Sequence, residues 1–130
     1  MGLLLALRPP QSRPKKPRRA TRAQRRERRR ADAEEWETAR QRGWLLDVEV
    51  ERLLPLVDSA GGTRLPILGR LDPWADTVID RRDLPMLDAD LDRLEAVAGD
   101  DTQRELVAAI RQLLMTWRTE PDLSLYCYGD

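Results

Sequence analysis

The chain has 130 residues, with 23 Lys or Arg against 23 Asp or Glu, no His, no Phe and a single cysteine. That length suits one domain, and the absence of His removes the usual general base near neutral pH and the commonest metal ligand. The lack of His argues against most kinds of enzyme, and no cofactor or metal is expected. The lone Cys127 cannot form an intrachain disulfide, which fits a reducing compartment such as the cytoplasm.

The zero net charge hides an asymmetry. Residues 1–42 carry 14 basic and 5 acidic side chains, leaving 9 basic and 18 acidic for residues 43–130. The chain therefore reads as a basic arm over 1–42, disordered and then helical, joined to an acidic and mostly helical body over 43–130. Such a split suggests different partners for the two parts, or an arm that folds back on its body through salt-sensitive contacts. Arg greatly outnumbers Lys, since Lys15 and Lys16 are the only lysines. With abundant Asp, Ala and Leu, that bias suggests a bacterial source rich in GC.

In chain order, Leu3–Leu7 is an apolar run with no basic residue before it, too short for a signal sequence or a membrane span. It reads as a disordered start or as a misassigned initiation codon. Pro9, Pro10, Pro14 and Pro17, set among Arg and Lys, disfavour helix and sheet alike. Thr21 is placed to cap a helix over Arg22–Arg42, a stretch of good helix formers in which Trp36 is the only large apolar residue. A helix so polar is solvated or unstable alone, and Gly43 stops it.

Core character begins at Trp44. Leu46, Val50, Leu53 and Val57 fall at helical spacing, while Leu46, Val48 and Val50 also alternate like a strand. A helix to about Leu54 is favoured, ended or kinked by Pro55. Ser59–Gly62 is a loop, and Leu65–Leu71, broken by Pro66 and Gly69, is an edge strand or an extended packing segment. Asp72-Pro73 starts a turn.

Two helices follow. Asp83-Leu84-Pro85 opens the first, with Asp83 as cap, a face of Leu87, Leu91, Leu94 and Ala98, and Gly99 as stop. Thr102-Gln103-Arg104-Glu105 has the form of a capping box, and Leu106, Ile110, Leu113, Leu114 and Trp117 then share one face to about Arg118. Leu123–Tyr128 alternates as a terminal strand, with Leu65–Leu71 or Leu45–Val50 as candidate partners. The expected fold is mostly α: a small helical domain with a short two-stranded β element and a disordered N-terminal arm.

Two features could carry function. Arg18, Arg19, Arg22, Arg25, Arg26, Arg28, Arg29 and Arg30 form a cluster suited to phosphate oxygens, giving salt-sensitive binding to nucleic acid or another polyanion. No aromatic is interleaved, so base stacking is not offered. A membrane surface and a merely solvated tail are the other readings. The second feature is acidic: Asp72, Asp76, Asp80 and Asp83, then Asp88, Asp90 and Asp92. On a helix Asp72, Asp76 and Asp80 would share a face and could bind a hard cation. Asp88-Ala-Asp90-Leu-Asp92 fails as an EF-hand loop, because Arg93 stands where glycine is required and Gly99 where glutamate is. Turn, cap and first-turn roles account for most of these residues. Cys127, in an apolar strand, is packed rather than nucleophilic. Trp74, Trp117, Tyr126 and Tyr128 are core or surface anchors, and exposed ones make interface hot spots.

The segment Arg70-Leu-Asp72-Pro-Trp74-Ala-Asp76-Thr-Val78-Ile79, a Leu-rich helix over Leu84–Leu94 and the ending Leu125-Tyr126-Cys127-Tyr128-Gly129-Asp130 resemble small bacterial proteins of unassigned function. Those proteins carry Asp-Pro-aromatic-x-Asp-Thr-Val and end in a Leu-Tyr strand and Gly-Asp. The resemblance covers residues 65–130 and implies a common fold without an activity. The leading expectation is a non-enzymatic interaction protein whose acidic body docks on a protein partner, plausibly a basic one, through Asp72, Trp74, Asp76 and Asp80. The alternative is a nucleic-acid-binding accessory protein acting through the arm.

Overall fold

The computed structural model describes residues 2–9 and 22–129, with the side chains of residues 22 and 24–32 outside the description. Its elements are β1 (Gly2–Arg8), α1 (Arg22–Gln41), β2 (Leu45–Glu49), α2 (Val50–Ala60), β3 (Thr77–Ile79), α3 (Leu84–Val97), α4 (Asp101–Arg118) and β4 (Ser124–Tyr128). The strands form one antiparallel sheet in the order β2-β1-β4-β3. A mostly α fold with a two-stranded element is therefore wrong: the architecture is α+β, built on a four-stranded sheet.

The largest correction concerns the start of the chain. Leu3–Leu7 is not a disordered lead-in but the interior of β1, which pairs with β2 on one side and β4 on the other. Leu3, Leu5 and Leu7 enter the common core, and Ala6 on the opposite face is buried as well. A strand covered on both faces carries an unbroken apolar run rather than an alternating one, and that is the pattern of this stretch. The rest of the expected disordered arm, residues 10–21, lies outside the described residues.

β4 is the terminal strand expected, starting one residue later, with Leu125 and Cys127 buried, Leu123 buried just before it, and Ser124, Tyr126 and Tyr128 half-buried on the other face. Its partners differ from those expected. β1 and β3 flank it, β2 pairs with β1, and Leu65–Leu71 forms a short 3-10 turn at Leu68–Arg70 instead of a strand.

The ambiguous stretch after Trp44 resolves into both of its periodicities. Residues 45–49 are strand and residues 50–60 are helix, so the helix starts later and runs further than expected. Pro55 lies inside α2, where it gives up one N–H donor without ending the helix. α1 ends in a Schellman motif: Gly43 takes a φ of 72°, its N–H bonds to Arg40 O, and Trp44 N–H bonds to Ala39 O at 2.8 Å. This closure turns the chain from α1 into β2.

The C-terminal helices follow their sequence patterns closely. Leu87, Leu91 and Leu94 of α3 meet Val107, Ile110, Leu113, Leu114 and Trp117 of α4 in one core. The caps differ. Asp83 makes no side-chain cap bond, and α4 is capped two residues earlier than Thr102, by Asp100 accepting from Gln103 N at 2.8 Å while Gln103 Oε1 accepts from Gly99 N. Outside the core, Arg111 joins Asp88, Asp92 and Glu95, and Arg118 joins Asp88, lacing α4 to α3.

Asp90 is the buried exception to the apolar core. It is 1% exposed, and its Oδ2 accepts from the N–H groups of both Ile67 and Leu68 at 2.9 Å. One carboxylate thus satisfies two backbone donors of a loop packed into the core. Gly69 next to them is fixed by space: a Cβ there would fall 2.4 Å from Gly62 O.

Candidate interaction surface

The residues from Leu71 to Ile79 build one edge of the sheet. Asp72 O accepts from Ala75 N, and Asp72 Oδ1 accepts from Trp74 N at 2.9 Å, closing the Asp-Pro turn through both backbone and side chain. Gly129 backs this turn, since a Cβ there would lie 2.4 Å from Pro73 O. The Asp-Pro-Trp segment and the chain's Tyr-Gly ending, far apart in sequence, are therefore in contact. They also share the β3–β4 ladder, with Val78 opposite Tyr126 and Ile79 opposite Leu125.

The turn and strand leave two large apolar side chains in solvent. Trp74 is 67% exposed and Val78 is 57% exposed, while Ile79 between them and α3 is buried. β3 is an edge strand, paired within the sheet only with β4. Asp72, Asp76 and Asp80 are exposed around this strip. They belong to a turn and to the two flanks of a strand, so the helical face proposed for them does not exist. Among the described residues no group of three or more His, Cys, Asp or Glu side chains is placed to hold a metal ion.

Beyond β3, Arg81 reaches the end of α4. Its Nη1 donates to Trp117 O at 2.8 Å and to Glu120 O at 3.2 Å, and its Nη2 donates to Arg118 O at 2.9 Å. A guanidinium on the final carbonyls of a helix complements the negative end of its dipole. Arg81 also lines an open groove of about 890 Å³ on the outer side of the sheet, together with Pro9, Val78, Asp80, Asp122 and Tyr126.

Further along that face an aromatic and cationic cluster joins α1 to the sheet. Tyr126 and Tyr128 stack at 5.9 Å, and Trp36 meets Tyr128 edge-on at 6.0 Å. Arg8 lies 4.8 Å from the Trp36 ring, donates to Tyr128 Oη at 2.8 Å and pairs with Glu35 at 3.0 Å. Burial works against its charge, but the hydrogen bonds it donates to Tyr128 and Glu35 outweigh burial and raise its pKa above the ordinary arginine value. Trp36 is thus a docking residue of α1, and its isolation on a polar helix was the one signal of it.

Of the basic candidates, Arg18 and Arg19 lie outside the described residues. Arg22, Arg25, Arg26, Arg28, Arg29 and Arg30 fall on the continuous helix α1. No described helix is long and apolar enough to cross a membrane.

Cys127 is 1% exposed, and burial pushes its thiol up to about 12. An unfolded thiol ionises near pH 8.5, roughly, so the unfolded chain loses its proton first. Stability present below that pH is lost as pH rises toward the folded value. Dithionitrobenzoate at pH 8 is expected to leave folded protein untouched and to titrate one thiol in denaturant. Rapid reaction of the folded protein would show that the strand end opens.

Comparison with known protein families, with curated proteins and with solved structures finds no match.

Proposed function

We propose that the protein is a small, non-enzymatic interaction module that docks a protein partner along β3. The observation that carries this reading is the exposure of Trp74 and Val78 beside a strand whose outer side is open within the sheet. Isolated exposed apolar residues are ordinary. Here the pair flanks a strand that, among the described residues, pairs with β4 alone, and sheet edges recruit extended segments by strand addition. Exposed Trp is also the residue type most often found to dominate binding energy. Asp72, Asp76 and Asp80 frame the strip and favour a basic partner. A cytoplasmic setting agrees with the single buried thiol. The contact between the Asp-Pro-Trp turn and Gly129 supports reading the two segments of the bacterial resemblance as one unit.

The test is a photo-reactive residue at position 78 in producing cells. Adducts to a protein through a Lys- or Arg-rich segment, lost on Trp74→Ala, are expected. Adducts to nucleic acid alone would contradict the reading.

A second reading has its own support in α1, which carries six of the clustered arginines on one helix. If about six of them neutralise phosphates, log affinity against log salt has a slope near −5, taking roughly −0.9 per contact. Replacing Arg25, Arg26, Arg28, Arg29 and Arg30 with Gln should flatten that slope by several units, as measured by titrating a labelled duplex at several salt concentrations. No binding at low salt removes this reading.

A further inference from the structure

We propose that the groove beside β3 is a subsite for one Arg or Lys side chain of an extended peptide added to that strand. The proposal rests on the docking reading above and names the chemistry of the partner.

The register sets the geometry. Val78 and Tyr126 are paired on the outer face of the sheet, opposite the core pairs Thr77–Cys127 and Ile79–Leu125. A strand added outside β3 places its residue opposite Val78 on that same outer face. It then lies two strand spacings, about 10 Å, from Tyr126. A long side chain from that residue crosses Val78 and ends in the groove, whose floor and walls include Tyr126, Pro9 and Pro121.

Charge then selects the side chain. Two carboxylates, Asp80 and Asp122, line the groove against one cation, Arg81. The guanidinium of Arg81 is already committed to three carbonyls at the end of α4. Asp80 has a partner in Arg82 at 3.3 Å, but both side chains are more than half exposed, and a pair of that kind is readily exchanged. Among the described residues the groove lining thus carries net negative charge beside the Tyr126 ring, which Arg8 approaches at 6.0 Å, and carboxylates next to an apolar wall favour an ammonium or guanidinium group with an aliphatic stem. An anionic side chain would add like charge beside Asp80 and Asp122, and a purely apolar one would bring no charge to meet theirs.

The probe is a capped five-residue peptide, Val-Thr-Arg-Thr-Val, titrated into ¹⁵N-labelled protein, with Val-Thr-Gln-Thr-Val as control. Expected are shifts at Thr77, Val78 and Tyr126 with the Arg peptide and at least tenfold weaker binding of the Gln peptide. A similar loss is expected for the Arg peptide on Asp80→Asn/Asp122→Asn, both exposed positions whose folding is checked by thermal melting. Equal binding of the two peptides, or an unchanged affinity in that double variant, overturns the cation subsite and leaves docking on β3 standing. Absence of shifts with either peptide overturns both.

Discussion

Trp117→Ala is expected to remove most of the protein's stability. The side chain is fully buried at the point where α4 turns toward β4, and its Nε1–H donates to Leu123 O at 2.7 Å. Truncating a buried Trp costs about 3–5 kcal/mol through lost transfer energy and the cavity left behind. Leaving the Leu123 carbonyl without its donor adds to this. Against a typical domain stability of about 5–15 kcal/mol, the variant should be largely unfolded in mild denaturant. Trp117→Phe keeps most of the volume and loses the hydrogen bond, so it should be destabilised by a smaller amount. Urea unfolding followed by circular dichroism measures both. An unchanged midpoint in the Ala variant would mean that α4 and β4 do not share this core.

Asp90→Ala carries the second large effect, by a different mechanism. It creates little cavity but strands the N–H groups of Ile67 and Leu68, both satisfied by one carboxylate oxygen in the core. Each orphaned buried donor costs about 1–3 kcal/mol, so a loss of roughly 2–6 kcal/mol is expected for the two. Asp90→Asn retains an acceptor in the same place and should fall well short of that. Equal losses for the two variants would show that charge rather than hydrogen-bond acceptance is what the loop needs. Because Asp90 holds the segment leading to Leu71 and the Asp-Pro turn, the Ala variant should also increase amide exchange at Ile67 and Leu68 before other core positions.

How far the sequence discloses this molecule depends on how local each determinant is. The faces of α3 and α4 are periodic over three turns or more, and most residues read from them are in the core, although Ala98 and Leu106 only pack against it and Leu84 and Val107 are missed. The strand at the C-terminus is legible from its alternation for the same reason. β1 is missed because a strand covered on both faces loses its alternation, and a short apolar run at a chain start has no neighbour to suggest its partners. With β1 unrecognised, β4 had to be given the wrong partners, and a four-stranded sheet became a two-stranded one. The caps fail by two residues at α4 because Asp100, Thr102, Gln103 and Glu105 offer two overlapping arrangements. At the candidate surface, the turn chemistry of Asp72-Pro73 is visible in the sequence, and Trp74 stands out there as a core or surface anchor without its exposure being evident. The grouping of Asp72, Asp76 and Asp80 is visible only as a spacing of four, which suggests a helix where the chain makes a turn and a strand. The meeting of Gly129 with Pro73, and of Arg81 with the end of α4, are long-range contacts to which no local pattern points.

The surface along β3 exists in this form only if β4 is held in the sheet by β1. Cross-strand nuclear Overhauser contacts of residues 3–8 test that most directly. The architecture predicts contacts from Leu5 to both Leu46 and Cys127 and from Leu7 to Leu125, with amide order parameters over 3–8 as high as those of α4. Random-coil shifts and low order parameters over residues 3–8, with β4 lacking contacts to them, would contradict it.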